Sequence, residues 1–259
     1  MKRLPSSLSD SELFMNLPQE LPVIPIRDTI IFPGSIHPLL LGRDVSIQAV
    51  AEAQKNSQGV LFLSLQLDSE QDSVTPKDLH SCGIIAKITS QVTLPNNLSK
   101  ILVEGLVVAD TLSWGQSEHL IKATLSPRTL KPPSKKRVRT VLTELAEKFR
   151  IYAQAASDVP SEILQTFEGP ELVPHIIYTI APFIKTTLNI KQQIIEQKTF
   201  NALAALLFEV IDSNNEALQI SKQLERDVRE RIQQSQKEYV LNEQLKLIHE
   251  ELGSSAEDH

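Results

Sequence analysis

The side chains that could do chemistry in this sequence are few and dispersed. His80-Ser81-Cys82 is the only close grouping of a base, a hydroxyl and a thiol. Nucleophilic catalysis needs a base within hydrogen-bond reach and a third group to orient it, and the neighbouring sequence offers no such partner. The expected reading is a strand-entry residue beside a buried thiol. The six histidines, His37, His80, His119, His175, His249 and His259, lie far apart, and Cys82 has no C-x-x-C companion. Nothing therefore has metal-ligand spacing. A phosphate-cradling loop of the form G-x-x-x-x-G-K-[ST] is missing among 8 scattered glycines. Serines and lysines are plentiful, but without geometry they identify no dyad. The chain is expected to carry neither self-contained catalysis nor a cofactor of its own.

Binding chemistry is better represented. Lys131, Lys135, Lys136, Arg137 and Arg139 form the one basic run, against a net charge of −6 for the whole chain. Such a run reads as a solvated linker and helix start, with phosphate binding as the alternative. Interleaved aromatics are lacking and Trp114 is the sole tryptophan, which argues against single-stranded nucleic acid. Nucleic-acid binding through this run would fall steeply with salt. The single cysteine permits no internal disulfide and fits a reducing compartment. The first residues lack the continuous apolar core of a signal peptide, and no window holds the roughly 18 apolar residues of a membrane span. A cytoplasmic location without membrane contact is expected.

Three features could hold a partner. Pro33 and Gly34 shape a turn between Phe32 and His37, beside Arg27 and Asp28, and these side chains are the candidate substrate contacts. The apolar series His37–Leu41 reads either as a buried strand or as an exposed groove for unfolded polypeptide. Near the carboxyl end, Tyr239, Leu241, Leu245 and Ile248 are candidate contacts between subunits.

The elements that must position these groups change character midway. Leu21–Ile26 is an apolar run broken by Pro22 and Pro25, which suits an edge or bulged strand. Further strands are predicted at Ile30–Phe32, His37–Leu41, Val60–Leu67, Gly83–Leu94, Lys100–Trp114 and Leu120–Leu125, with Pro95-Asn96-Asn97 as a hairpin turn. One helix interrupts them, capped by Asp44, with Ile47, Val50 and Ala51 at helical spacing and Gly59 after its end. Pro127, Pro132 and Pro133 then mark a stiff connector. Beyond it, Val138, Leu142, Leu145, Phe149 and Tyr152 trace one helical face. Ser161–Phe167 is expected to be a short helix closed by Gly169, and Pro170 opens another bearing Leu172, Ile176 and Ile180. Asn189 and Thr199 cap two more, the last turning Phe200, Leu203, Leu206, Leu207 and Val210 inward. From Asn215 to Leu252 there is neither proline nor glycine, so a helix of about 57 Å is expected, too long for its own bundle to cover, with Gly253 as its stop. The fold class is α+β: a strand-rich, partly closed sheet with one helix, then a helical bundle ending in a long projecting helix. The expected organisation is a flexible segment over 1–19, the sheet domain over 20–126, a linker over 127–136, the bundle over 137–213, the long helix over 214–253 and a further linker over 254–259.

Three stretches carry a family resemblance. LPVIPIRDTIIFPGSIHPLLLGRDVSIQAV, from Leu21, resembles the opening of the amino-terminal domain of Lon-type ATP-dependent proteases, with Arg27-Asp28, Phe32-Pro33, Pro38-Leu39 and Gly42-Arg43 at the family's marked positions. KILVEGLVVA, Lys100–Ala109, is similar to a later family strand, except that Val108 stands where arginine is usual. SQKEYVLNEQLKLIHEELG, Ser235–Gly253, resembles the family's long helix. The resemblance implies recognition of unfolded or damaged protein and assembly of a homohexamer. It also implies an ATPase module, using ATP and magnesium, and a Ser–Lys protease outside this chain. A stand-alone adaptor for a protein partner or a small molecule is the alternative.

Overall fold

The computed structural model describes residues 20–95, 98–131, 133–156, 159–160, 162–167 and 174–254, with side chains to 248. The Asn96-Asn97 turn, Pro132, the Gly169–Leu172 stretch and the proposed terminal segments (apart from Ser254) lie outside those residues. The chain forms two compact units, Met1–Ile211 and Asp212–His259.

Six strands, β1 (Glu20–Ile26), β2 (Ile36–Leu41), β3 (Val60–Leu65), β4 (Cys82–Thr93), β5 (Ser99–Ser117) and β6 (Leu120–Pro127), make one mixed sheet in the order β2-β5-β4-β3-β1-β6. A further β5–β6 pairing bends it into a partial ring. β1 runs parallel to β3, and the other pairings are antiparallel. Both β1 and β3 are buried on two faces, with Ile24, Ile26, Leu61 and Leu63 in one core cluster and Leu21, Val23, Val60 and Phe62 in another. Burial on both faces is why their sequences are continuously apolar rather than alternating.

β1 is thus an inner strand, which corrects the expectation of an edge. Its first half pairs with β6, where Pro22 lies opposite Lys122, and its second half with β3, where Pro25 lies opposite Ser64. Each half has one ladder partner, so a nitrogen without a proton has an unpaired side to face. The strand at the sheet's edge is β2, bonded among the described residues to β5 alone, and it carries its own proline at Pro38. Ile30–Phe32, expected as a strand, is not part of the sheet.

Helix α1 (Asp44–Asn56) packs Ala49, Val50 and Ala53 into the first cluster, while Ala51 is exposed. Arg43 occupies the cap position and Asp44 the first turn, so Asp44 favours the helix dipole rather than capping it. Lys122 on β6 holds α1 through Glu52 at 2.6 Å.

After the sheet, α2 (Lys135–Ala155) is capped by Ser134, whose hydroxyl accepts the Arg137 N–H, and all five expected core residues are buried. Short α3 (Glu162–Gln165) follows. Pro174–Thr179 and Ala181–Phe183 are 3-10 turns instead of the predicted helix; they bury Ile177, Tyr178 and Ala181, with Ile180 between them, whereas Ile176 is half-buried. The Tyr152 hydroxyl secures them by donating to Phe183 O (3.1 Å) and accepting from Lys185 N–H (3.0 Å). α4 (Leu188–Glu196) is capped by Thr187, one residue before the first helical position, and not by Asn189.

α5 (Phe200–Ser254) is one helix of 55 residues, so no break separates a bundle helix from a long helix; it is described to Ser254, one residue past Gly253. Phe200, Leu203, Leu207, Val210 and Ile211 are buried, while Leu206 is half-buried. From Asp212 to Ile248 no residue is buried.

Candidate functional site

The turn that the sequence singled out is an anchor. Phe32 is 0% exposed and Pro33 is buried, so neither side chain can meet a partner. The Ser35 hydroxyl donates to Phe32 O (2.7 Å) and accepts from Phe32 N–H (3.1 Å). Gly34 N–H donates to Gly105 O (2.8 Å), and Gly105 N–H returns the bond to Ser35 O (2.9 Å). Gly34 has φ +79°, which glycine adopts without a Cβ penalty.

Arg27 is also committed internally. Its guanidinium donates to Gln71 O (2.8 Å) and pairs with Asp72 (2.7 Å). Arg43 donates to Pro25 O and to Gln66 Oε1, both at 2.7 Å. Buried Gln66 then ties the end of β3 to Asp68 O and Gln71 O. The two arginines fasten the segment after β3 to β1 and α1. Asp28 is exposed and His37 half-buried.

A surface suited to extended polypeptide lies on β2 and its neighbours. Along β2, Leu39 and Leu41 point inward while Ile36, Pro38 and Leu40 point out. The expected alternative of buried strand or exposed groove resolves into one of each by alternation. Residues directly opposite in an antiparallel ladder share a face. Pro38 stands opposite Leu102, and Leu40 opposite Lys100; across the next ladder Lys100 meets Val92. Ile36 (59% exposed), Leu40 (64%), Leu102 (36%) and Val92 (54%) with Pro38 therefore share one largely apolar face, which Lys100 interrupts between Leu40 and Val92 and Glu104 limits opposite Ile36. Beside it, β2 presents an edge with no strand bonded to it among the described residues. The sequence signal for this face is the out-in alternation over 36–41, but only the β2–β5–β4 register brings Leu102 and Val92 to it.

The His80–Cys82 grouping lies where the sheet meets α4. Cys82 is buried, its thiol donates to Ile195 O (3.6 Å), and burial pushes its pKa up to about 12. His80 Nδ1 lies 3.3 Å from Glu196, and Gln192 donates to both Cys82 O (3.0 Å) and Glu196 (2.8 Å). A thiol so protonated is a poor nucleophile. Native Cys82 is expected to react with iodoacetamide at pH 8 roughly a hundredfold or more slowly than a free thiol. Labelling in urea should restore full reactivity; rapid labelling of the folded chain would contradict this environment. Nearby, a cavity of about 10 Å³ lined by Ile31, Leu63, Gln192 and Ile195 has room for one water molecule and not for an organic ligand.

The basic run sits on exposed positions before and in the first turns of α2. On α5, Tyr239, Leu241, Leu245 and Ile248 are all at least half exposed. They do not form one stripe. At about 100° per residue, Tyr239 lies about 180° around the helix from Ile248.

The family profile described as "ATP-dependent protease La (LON) substrate-binding domain" matches residues 20–213. The chain is 32% identical over 243 residues to the Lon protease of Xanthomonas oryzae pv. oryzae, covering 90% of this chain and 28% of that protein. It is 31% identical over 241 residues to the Lon protease of Buchnera aphidicola subsp. Acyrthosiphon pisum, covering 92% and 30%. The chain thus spans about 30% of the length of these relatives. Among solved structures, the N-terminal domain of Mycobacterium avium complex Lon protease shares the fold, with TM-score 0.61 and 19% identity over 74% of this chain and 98% of that one. From the match over 20–213, the chain belongs to the Lon substrate-binding domain family.

Proposed function

We propose that this chain captures extended, unfolded stretches of protein for a Lon-type ATP-dependent protease, and that its long helix brings copies together in a homohexamer. The observation that carries the first part is the unpaired edge of β2 lying beside the exposed face of Ile36, Pro38, Leu40, Leu102 and Val92. An extended segment can add to such an edge through main-chain bonds, while its alternate side chains rest on the apolar face. Folded proteins hide both of those features, so the surface discriminates by conformation rather than by sequence. Pro38 removes one edge donor, which blunts pairing between copies of β2 itself. Several weak sites in one assembly multiply the affinity of each. ATP and magnesium serve modules outside this chain, and the work is done in a reducing, cytoplasmic setting.

Binding of a fluorescent unfolded casein by this chain tests the reading. Leu40→Asp combined with Leu102→Asp places two charges on the face and is expected to weaken binding about tenfold or more. Neither side chain is in the core, so circular dichroism should be unchanged. Equal affinity of the double variant and the parent would remove β2 from the site.

A further inference from the structure

The segment around Val228 has a symmetry that its exposure makes meaningful. Residues 225–231 read Glu-Arg-Asp-Val-Arg-Glu-Arg. Each position before Val228 carries the charge opposite to that at the same distance after it: Asp227 against Arg229, Arg226 against Glu230, Glu225 against Arg231. The apolar positions mirror as well, with Leu224 four before and Ile232 four after. Leu224, Val228 and Ile232 are 62%, 47% and 53% exposed, so none of the described residues covers this stripe. Among the described residues no ion pair engages Glu225, Arg226, Arg229, Glu230 or Arg231, although Asp227 accepts a bond from Gln223.

We infer that a second copy of this chain packs antiparallel on the helix, crossing at Val228 about a two-fold axis. This rests on the self-assembly half of the proposed function and adds its partner, face, register and direction. At about 100° per residue, Leu224 and Ile232 lie about 40° to either side of Val228. Glu225 and Arg229 share one flank, and Asp227 and Arg231 the other. In an antiparallel pair each flank meets its own counterpart, so Glu225 comes beside the partner's Arg229 and Asp227 beside the partner's Arg231, while Arg229 and Asp227 meet their own copies only from farther off the seam. In a parallel pair opposite flanks meet, which brings Glu225 beside the partner's Asp227 and Arg229 beside the partner's Arg231 as well as the partner's Asp227, so like-charge contacts outnumber opposite ones. Charge therefore selects the antiparallel arrangement, as flanking charges do in coiled coils. The same symmetry puts Tyr239 opposite the partner's Ala217, a large ring over a small side chain. Such an interface is self-complementary and closes at two, so a homohexamer would contain three such pairs. Leu241, Leu245 and Ile248 lie on another face and take no part.

Cross-linking reads both contact and direction. Ser221 and Ser235 are exposed and equidistant from Val228. They are about 21 Å apart along one helix, yet adjacent across the antiparallel pair. Ser221→Cys and Ser235→Cys chains, oxidised separately, are expected to stay uncrosslinked, while their mixture forms a disulfide heterodimer. Buried Cys82 stays out of the reaction. Self-cross-linking of the Ser221→Cys chain would overturn the antiparallel assignment, and an uncrosslinked mixture would overturn the contact itself. Val228→Arg is expected to raise the dimer dissociation constant about tenfold or more in sedimentation equilibrium; an unchanged constant would also sink the crossing point. Casein binding by these chains reports on β2 separately: its loss with cross-linking intact would count against the capture surface alone.

Discussion

Gly105→Ala is expected to destabilise the folded chain by about 3 kcal/mol or more, the largest effect of any methyl-sized change on β5. A Cβ at Gly105 would lie 2.3 Å from Phe32 O and 3.0 Å from Phe32 C, both main-chain atoms. Backbone cannot swing aside as a flexible side chain can. Relief requires the turn to lift from β5, which breaks the two reciprocal bonds between Gly105 and the Gly34–Ser35 segment. Each bond contributes about 1 kcal/mol net, and the displaced Phe32 leaves a gap in the core. Gly34→Ala is the contrasting change. Its φ of +79° strains an alanine, but nothing lies within 4 Å of the added methyl. Its cost should be about 1–2 kcal/mol. Urea unfolding followed through Trp114 fluorescence measures both. Equal losses for the two variants would show that close approach at Gly105 is not what matters.

Arg128→Met is expected to cost about 3 kcal/mol and to loosen α4 from the sheet. The Arg128 side chain is 10% exposed and pairs with Asp110 on β5 through two bonds. Its Nη1 also donates to Ile195 O (2.9 Å) and Gln197 O (3.4 Å) at the carboxyl end of α4. Those carbonyls have no further helical turn to bond them, and a cation there also answers the helix dipole. Methionine preserves the apolar stem but leaves the Ile195 carbonyl with only the weak thiol bond of Cys82. Asp110 is 41% exposed and recovers water, which keeps the cost at the lower end for a broken pair. Because Cys82 lies under Ile195, loosening of α4 should also make the thiol reactive toward iodoacetamide. A variant of parental stability, with Cys82 still protected, would remove Arg128 as the fastener.

The mirrored charges about Val228 and the alternation over 36–41 were both present in the sequence, yet each acquired meaning from exposure. Leu40 and Leu39 are the same residue type; one is outside and one inside because β2 is pleated and pairs with β5. Phe32 and Pro33 show the reverse case. A turn rich in proline and glycine invites assignment as a rim loop, but the bonds to Gly105 draw it into the core.

What the sequence determined by itself is everything that depends on local periodicity and on residue inventory: the shift from strand-forming to helical pattern after Pro127, the core stripe of α2, the helical run after Asn215 and the family motifs. These are short-range properties, set by backbone angles and by which side chains recur on one face. Only tertiary structure decided that β1 lies inside the sheet and β2 at its edge, that Arg27 and Arg128 are fasteners, and that Leu40, Leu102 and Val92 share a face. Those outcomes depend on pairings between residues far apart in the chain. No local spacing encodes such pairings, because strand order and register follow from how the whole set of apolar faces is buried at once.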